Sequence, residues 1–162
     1  MQVAGGTLTL AAISGCGFSL RAASSLPASL KVMHIVAEPR SRALVREFER
    51  QLDIAGGRRS ASSGDATATL RILEDDSGER VLSLATTGGP EELEAYHIVR
   101  FELWRDDDRI YGPDSLTLRR DYTFDKNDVL GKRREFETLQ TSLRQNIVTR
   151  MLRRLSLAPE TQ

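Results

Sequence analysis

Hydrophobic and polar positions along the chain follow two periods, and the points where one gives way to the other mark out the elements. Lys31-Val-Met-His-Ile-Val-Ala37 is a near-continuous apolar run bounded by Pro27 and Pro39, which predicts a central strand buried on both faces. After Ser41, a suitable N-cap, the apolar residues Leu44, Val45, Phe48, Leu52 and Ala55 recur at helical spacing. Arg42, Arg46, Glu47, Glu49 and Arg50 take the wet side of that helix, and Gly56-Gly57 supplies its stop. Ala66, Ala68, Leu70 and Ile72 then alternate with Thr67, Thr69 and Arg71, and Asp75-Asp-Ser-Gly78 predicts a turn into Val81 to Thr86, hence a hairpin.

Gly88-Gly89-Pro90 precedes a longer strand, with Val99, Phe101 and Leu103 on one side and Arg100, Glu102 and Trp104 on the other. Asp106 to Arg109 reads as a tight polar turn, and Leu116, Leu118, Arg120, Tyr122 and Phe124 alternate along the next strand, which ends at Asp125. Leu130, Phe136, Leu139, Leu143, Ile147, Met151, Leu152 and Leu155 step by three and four residues, describing a long amphipathic helix, with a frayed tail after Pro159. The order calls for an α+β domain over residues 30–158, with two helices packed on one face of a mixed four- to five-stranded sheet.

Composition narrows the function by exclusion. Lys plus Arg and Asp plus Glu each number 23, so no global field drives binding to nucleic acid or to anionic lipid, and any electrostatic role is local. Aromatics are sparse, with Trp104 alone of its kind, which argues against a stacking platform for single-stranded nucleic acid. No nucleic-acid partner is expected. The chain has one cysteine, so neither an internal disulfide nor a zinc site of several thiolates can form.

That cysteine stands in an informative place. Residues 3 to 13 are uncharged and too short to span a bilayer, a length that suits the apolar part of a signal peptide. Ile13-Ser14-Gly15-Cys16 follows, resembling the bacterial lipobox, although Met1-Gln2 lacks the usual leading positive charge. On this reading residues 1–15 are a cleaved signal peptide, Cys16 is the lipidated residue, and the Ser- and Ala-rich residues 16–29 are a tether. No cofactor is implied beyond the covalent lipid on Cys16. Gly17 replaces the Asp that retains enteric lipoproteins in the inner membrane, so the resemblance implies an outer-membrane destination, lipid-anchored on the periplasmic side.

Catalytic and metal signatures do not assemble. His34 and His97 each lie inside a strand-like run, no glycine-rich phosphate loop is present, and Asp106 to Asp108 lacks the Gly and Glu of a calcium loop. No catalytic or metal residues are assigned, and an enzyme is not expected.

Four local patterns together resemble the lipopolysaccharide-assembly lipoprotein family LptE (RlpB). They are Gly17-Phe18-Ser19-Leu20-Arg21 with Leu26-Pro27; the helix Leu44 to Gly56; Glu94-Ala95-Tyr96; and Arg119-Arg120-Asp121-Tyr122-Thr123-Phe124-Asp125 leading to Val129-Leu130-Gly131-Lys132 and Glu135. The loop from Thr86 to Glu92 departs from the pattern in lacking a basic residue that some members carry. The resemblance implies a non-catalytic outer-membrane lipoprotein that plugs and supports assembly of the β-barrel lipopolysaccharide translocon (LptD-like) and assists insertion of lipopolysaccharide into the outer leaflet. Lys132 stands where the family places a basic residue, and with Arg133, Arg119 and Arg120 it would meet the lipid phosphates at a helix start. The alternative for each of these residues is a solvated helix face, with Lys132 or Arg134 paired to Asp128 or Glu135. Two other functions stay open: an auxiliary lipoprotein of another envelope lipid transporter, and a lipid-anchored hydrolase.

Overall fold

The computed structural model describes residues 26–86, 88–123 and 128–158; Cys16, the segment before it and most of the tether lie outside these, as do Phe124, Asp125 and the tail. Its elements are β1 (Val32–Val36), α1 (Arg42–Ile54), β2 (Arg58–Ser60), β3 (Ala68–Leu84), β4 (Pro90–Arg105), β5 (Asp108–Thr123) and α2 (Val129–Ser156). The strands form one mixed five-stranded sheet in the order β2-β1-β3-β4-β5, with β1 parallel to both its neighbours and β3, β4 and β5 antiparallel. Both helices cover one face, as the two hydrophobic periods require.

β1 departs from expectation. Met33 and Ile35 are buried under the helices, while Val32 and His34 are half-buried and Val36 is exposed, because no layer formed by the described residues packs on the sheet's other face. The strand is also next to the edge rather than central, with only the short β2 beyond it. β2 carries Arg58-Arg59-Ser60, too short and too charged to show in a hydrophobic pattern. Ser41 does not cap α1 through its side chain; a 3₁₀ turn, Pro39–Ser41, feeds the helix and Ser41 is buried. Gly56, at φ 85°, ends α1 as expected.

The predicted hairpin at Asp75 to Gly78 is absent, because β3 runs unbroken for 17 residues through that cluster. Its polar residues find partners across the sheet. Asp75 accepts from His97, Gln140 of α2 donates to the Gly78 carbonyl, and the Tyr96 ring lies against Gly78, where a side chain would otherwise stand. A bulge at Leu73 shifts the register between Ile72↔Phe101 and Glu74↔Arg100. Side chains alternate along a strand, so this one extra residue turns Asp75, Ser77, Glu79 and Val81 toward the helices, where Leu70 and Ile72 point before it.

β4 alternates as predicted. Ala95, Val99, Phe101 and Leu103 are buried under the helices together with Met33, Leu70, Leu44, Phe48, Leu52, Ile147, Met151 and Leu155, and the turn at Asp106-Asp107 joins β4 to β5. In α2 the stripe from Leu143 to Leu155 is buried as expected, along with Val148 and Gln140, but Leu130 is 75% exposed. On the uncovered face, acids of β4 sit between arginines of its neighbours. Glu94 lies 2.7 Å from Arg80 and 3.7 Å from Arg119; Glu102 lies 4.0 Å from Arg71 and 3.7 Å from Arg109. The Arg71 guanidinium also stacks over Trp104 at 4.2 Å.

Candidate functional site

The sheet register separates the four basic residues assigned to the lipid. Arg120 pairs with Ala95 and faces the helices beside Tyr122, whereas Arg119 pairs with Tyr96 on the opposite, uncovered face and is engaged by Glu94. Adjacent residues of a strand point to opposite faces, so one strand cannot deliver both to one ligand. Lys132 and Arg133, on the first turns of α2, do come together, at the mouth of a cleft of about 420 Å³ between α2 and the ends of β3, β4 and β5.

The floor of this cleft is built from the sheet upward. Leu93 and Tyr122 are register partners on β4 and β5, and both are buried; Phe136 of α2 stacks on Tyr122 with ring centroids 6.4 Å apart. The Tyr122 hydroxyl donates to Glu79, and burial together with that carboxylate pushes the phenol above its ordinary range, so it remains a neutral donor. Val129 closes the wall at the start of α2.

The cations at the mouth already have partners. Lys132 Nζ lies 2.7 Å from Glu135 and Arg133 Nε 3.7 Å from Glu137. The helix start is capped too, since the Asp128 carboxylate accepts from the Gly131 amide at 3.0 Å. The pairing of Lys132 with Glu135 is one of the two alternatives left open by sequence. What the cleft leaves unsatisfied is apolar surface: Val129 is 57% and Leu130 75% exposed, and Val81, Leu82 and Leu84 emerge at the same end of the sheet. The sequence assigned the cations and missed this cleft, although Val129-Leu130 within the capped first turn was its legible trace.

Elsewhere, His97 is buried with Nε2 2.7 Å from Asp75 Oδ1, and His34 Nδ1 lies 3.3 Å from the Ser60 carbonyl. Neither histidine is hydrogen-bonded to a hydroxyl among the described residues, which also hold no group of three or more potential metal ligands. No helix among them is long and apolar enough to cross a membrane.

Residues 30–155 match the family model described as LptE, lipopolysaccharide-assembly. The chain belongs to this family. Solved structures similar to this LptE member include lipoprotein B of Nitrosomonas europaea, with TM-score 0.74 and 24% identity over 87% of this chain and 91% of that one. Rare lipoprotein B of Shewanella oneidensis gives TM-score 0.66 and 25% identity, covering 77% of this chain and 93% of that one. A minor lipoprotein of Acinetobacter baumannii gives TM-score 0.67 and 22% identity over 82% and 97%. No functionally curated protein matches the chain significantly. Family membership ties this LptE chain to lipopolysaccharide assembly, and the fold it shares with these lipoproteins is the α+β arrangement read from the hydrophobic pattern.

Proposed function

We propose that this LptE chain is a non-catalytic outer-membrane lipoprotein, anchored through lipid on Cys16, that plugs the β-barrel lipopolysaccharide translocon and assists insertion of lipopolysaccharide into the outer leaflet. The observation that carries this is the family match over residues 30–155. The uncovered face of the sheet supports it: a plug inside a barrel faces a lumen lined by polar side chains, and the arginine–glutamate lattice of β3, β4 and β5 offers a broad polar surface. Lys132 and Arg133 at the cleft mouth are the proposed contacts to lipid phosphate, with Arg120 beside Tyr122 on the same face and Arg119 reserved for the opposite surface.

The test is a tagged pull-down from detergent-solubilised outer membranes, which should bring down a large β-barrel. Depletion of the chain should lower the amount of assembled barrel; unchanged barrel levels together with unchanged lipopolysaccharide export would reject the assignment. The anchor has its own check, because Cys16→Ala should abolish incorporation of labelled palmitate. An auxiliary lipoprotein of another envelope transporter would keep the label but lose the barrel.

A further inference from the structure

We infer that the free chain pairs with a second copy of itself through a step in the border of its sheet, β2 of each copy adding to the open edge of β3 in the other. The step follows from unequal strand lengths. β1 ends at Val36, opposite Arg71, whereas β3 runs on to Leu84. From Ile72 onward β3 therefore has β4 on one side and no strand among the described residues on the other. Beside the first residues of β3 the sheet is wider by β1 and β2, of five and three residues. An unpaired strand edge presents a row of backbone donors and acceptors to any strand that reaches it.

Shape and apolar surface point to a copy of this chain. A two-fold axis normal to the sheet turns a second molecule so that its β1 and β2 enter the step, while β1 and β2 of the first enter the partner's. Each β2 then lies antiparallel to the other copy's β3, and the two sheets join into one. The step is as deep as the entering block is wide, two strands in each case. The open length of β3, from Ile72 to Leu84, also exceeds the five residues of β1 that must fit along it. Five of the nine large apolar side chains exposed among the described residues, Val36, Leu73, Val81, Leu82 and Leu84, border the step, so its closure removes apolar surface from water.

Charge selects the same pairing and disfavours others. The open edge of β3 carries Glu74, Asp75, Asp76 and Glu79 ahead of Arg80, whereas β2 is Arg58-Arg59-Ser60. Asp75 and Glu79 turn to the helices and are engaged by His97 and Tyr122, and Arg59 is held by Glu49. Asp76 and Arg58 are exposed, and neither has a side-chain partner among the described residues. Both also face the uncovered side of the sheet, since Arg58 pairs with Val32 and Asp76 alternates with Asp75, so the two-fold brings them to one surface. Pairing of β3 with itself would set acids of the 74–79 run against one another, and pairing of β5 with itself would bring Arg119 and Arg120 against their own copies. Closing the step shields an edge that otherwise templates aggregation.

The test is sedimentation velocity on the full chain carrying Cys16→Ser, at concentrations from about one to a hundred micromolar. The parent should shift from monomer to dimer across this range. Asp76→Arg and Arg58→Glu, both at exposed positions, should each weaken association about tenfold by setting like charges together, and should keep the parent's thermal midpoint. Mixed in equal amounts, the two variants should regain the parent's dimer, because one contact then carries the native pair and the other the same pair exchanged. A parent that stays monomeric throughout overturns the inference and leaves the step to another occupant. A variant that dimerises as tightly as the parent overturns it too, as does a mixture that associates no better than the single variants. Species larger than a dimer would replace the two-fold by head-to-tail pairing and overturn it equally.

Discussion

Asp114 shows how a single carboxylate ties the end of the sheet to the end of the second helix. It accepts from Tyr111 at 2.5 Å and from Arg154 at 2.6 and 2.7 Å. Burial alone would raise its pKa, but the Tyr111 hydroxyl, the Arg154 guanidinium and the Ser115 amide together hold it below the ordinary 3.8. The same pairing, with burial as the larger cause, pushes the Tyr111 phenol up to about 12. A carboxyl depressed on folding contributes stability that is present above its unfolded value and is lost as pH falls through the folded one. Asp114→Asn should therefore destabilise the chain by about 1–2 kcal/mol in urea titrations at pH 6, with screening at the half-exposed Arg154 limiting the loss. The gap to the parent should narrow below about pH 4. A gap independent of pH would show that the ion pair is not its source. At this scale the alternation of Leu118, Arg120 and Tyr122 already implied that Arg119 and Arg120 face opposite sides of the sheet, as the register shows, while the partner of Arg119, Glu94 on the neighbouring strand, was not legible.

Among the elements, β5 depends on a bulge that no hydrophobic pattern announces. Phe101 pairs with Asp114 and Leu103 with Tyr111, which leaves Gly112 and Pro113 opposite Glu102. Gly112 sits at φ 85°, and a Cβ there would stand 2.8 Å from the Phe101 carbonyl oxygen and 3.1 Å from Glu102 Cα. Both contacts are backbone and cannot swing away. Gly112→Ala should cost about 2 kcal/mol or more, combining the left-handed penalty with displacement of β4, and thermal unfolding would read it as a lowered midpoint. A midpoint within a degree of the parent would mean the strand pair shifts freely. The bulge at Leu73 teaches the complementary lesson. Strand β4 and helix α2 were legible because strict period-2 and 3.6-residue patterns persist over long stretches, as in Val99, Phe101, Leu103 and in Leu143, Ile147, Met151, Leu155. β3 was not, because Asp75, Ser77 and Gly78 oppose strand formation locally, and His97, Tyr96 and Gln140 overrule them from other elements.

In the molecule as a whole, the apolar interior is divided unevenly along the sheet. The larger cluster joins both helices to β1, β3, β4 and β5 through Met33, Phe48, Leu70, Phe101, Leu116, Ile147 and Met151. The smaller one, Leu93, Ala95, Tyr122 and Leu143 with Phe136 and Leu139 against it, has α2 alone as its cover among the described residues, because α1 ends its reach near Gln145 and Thr149. Local stability follows buried apolar contact, so the end that carries the cleft should open before the rest. Native-state hydrogen exchange should find the amides of Leu93, Ala95 and residues 132–139 opening on the order of ten times more often than those of Val99, Phe101, Leu103 and residues 147–155. Bound lipid A should then slow exchange in the smaller cluster and leave the larger one unchanged. Uniform exchange across both clusters would show one cooperative unit, and the cleft would then have to admit its ligand as a preformed surface.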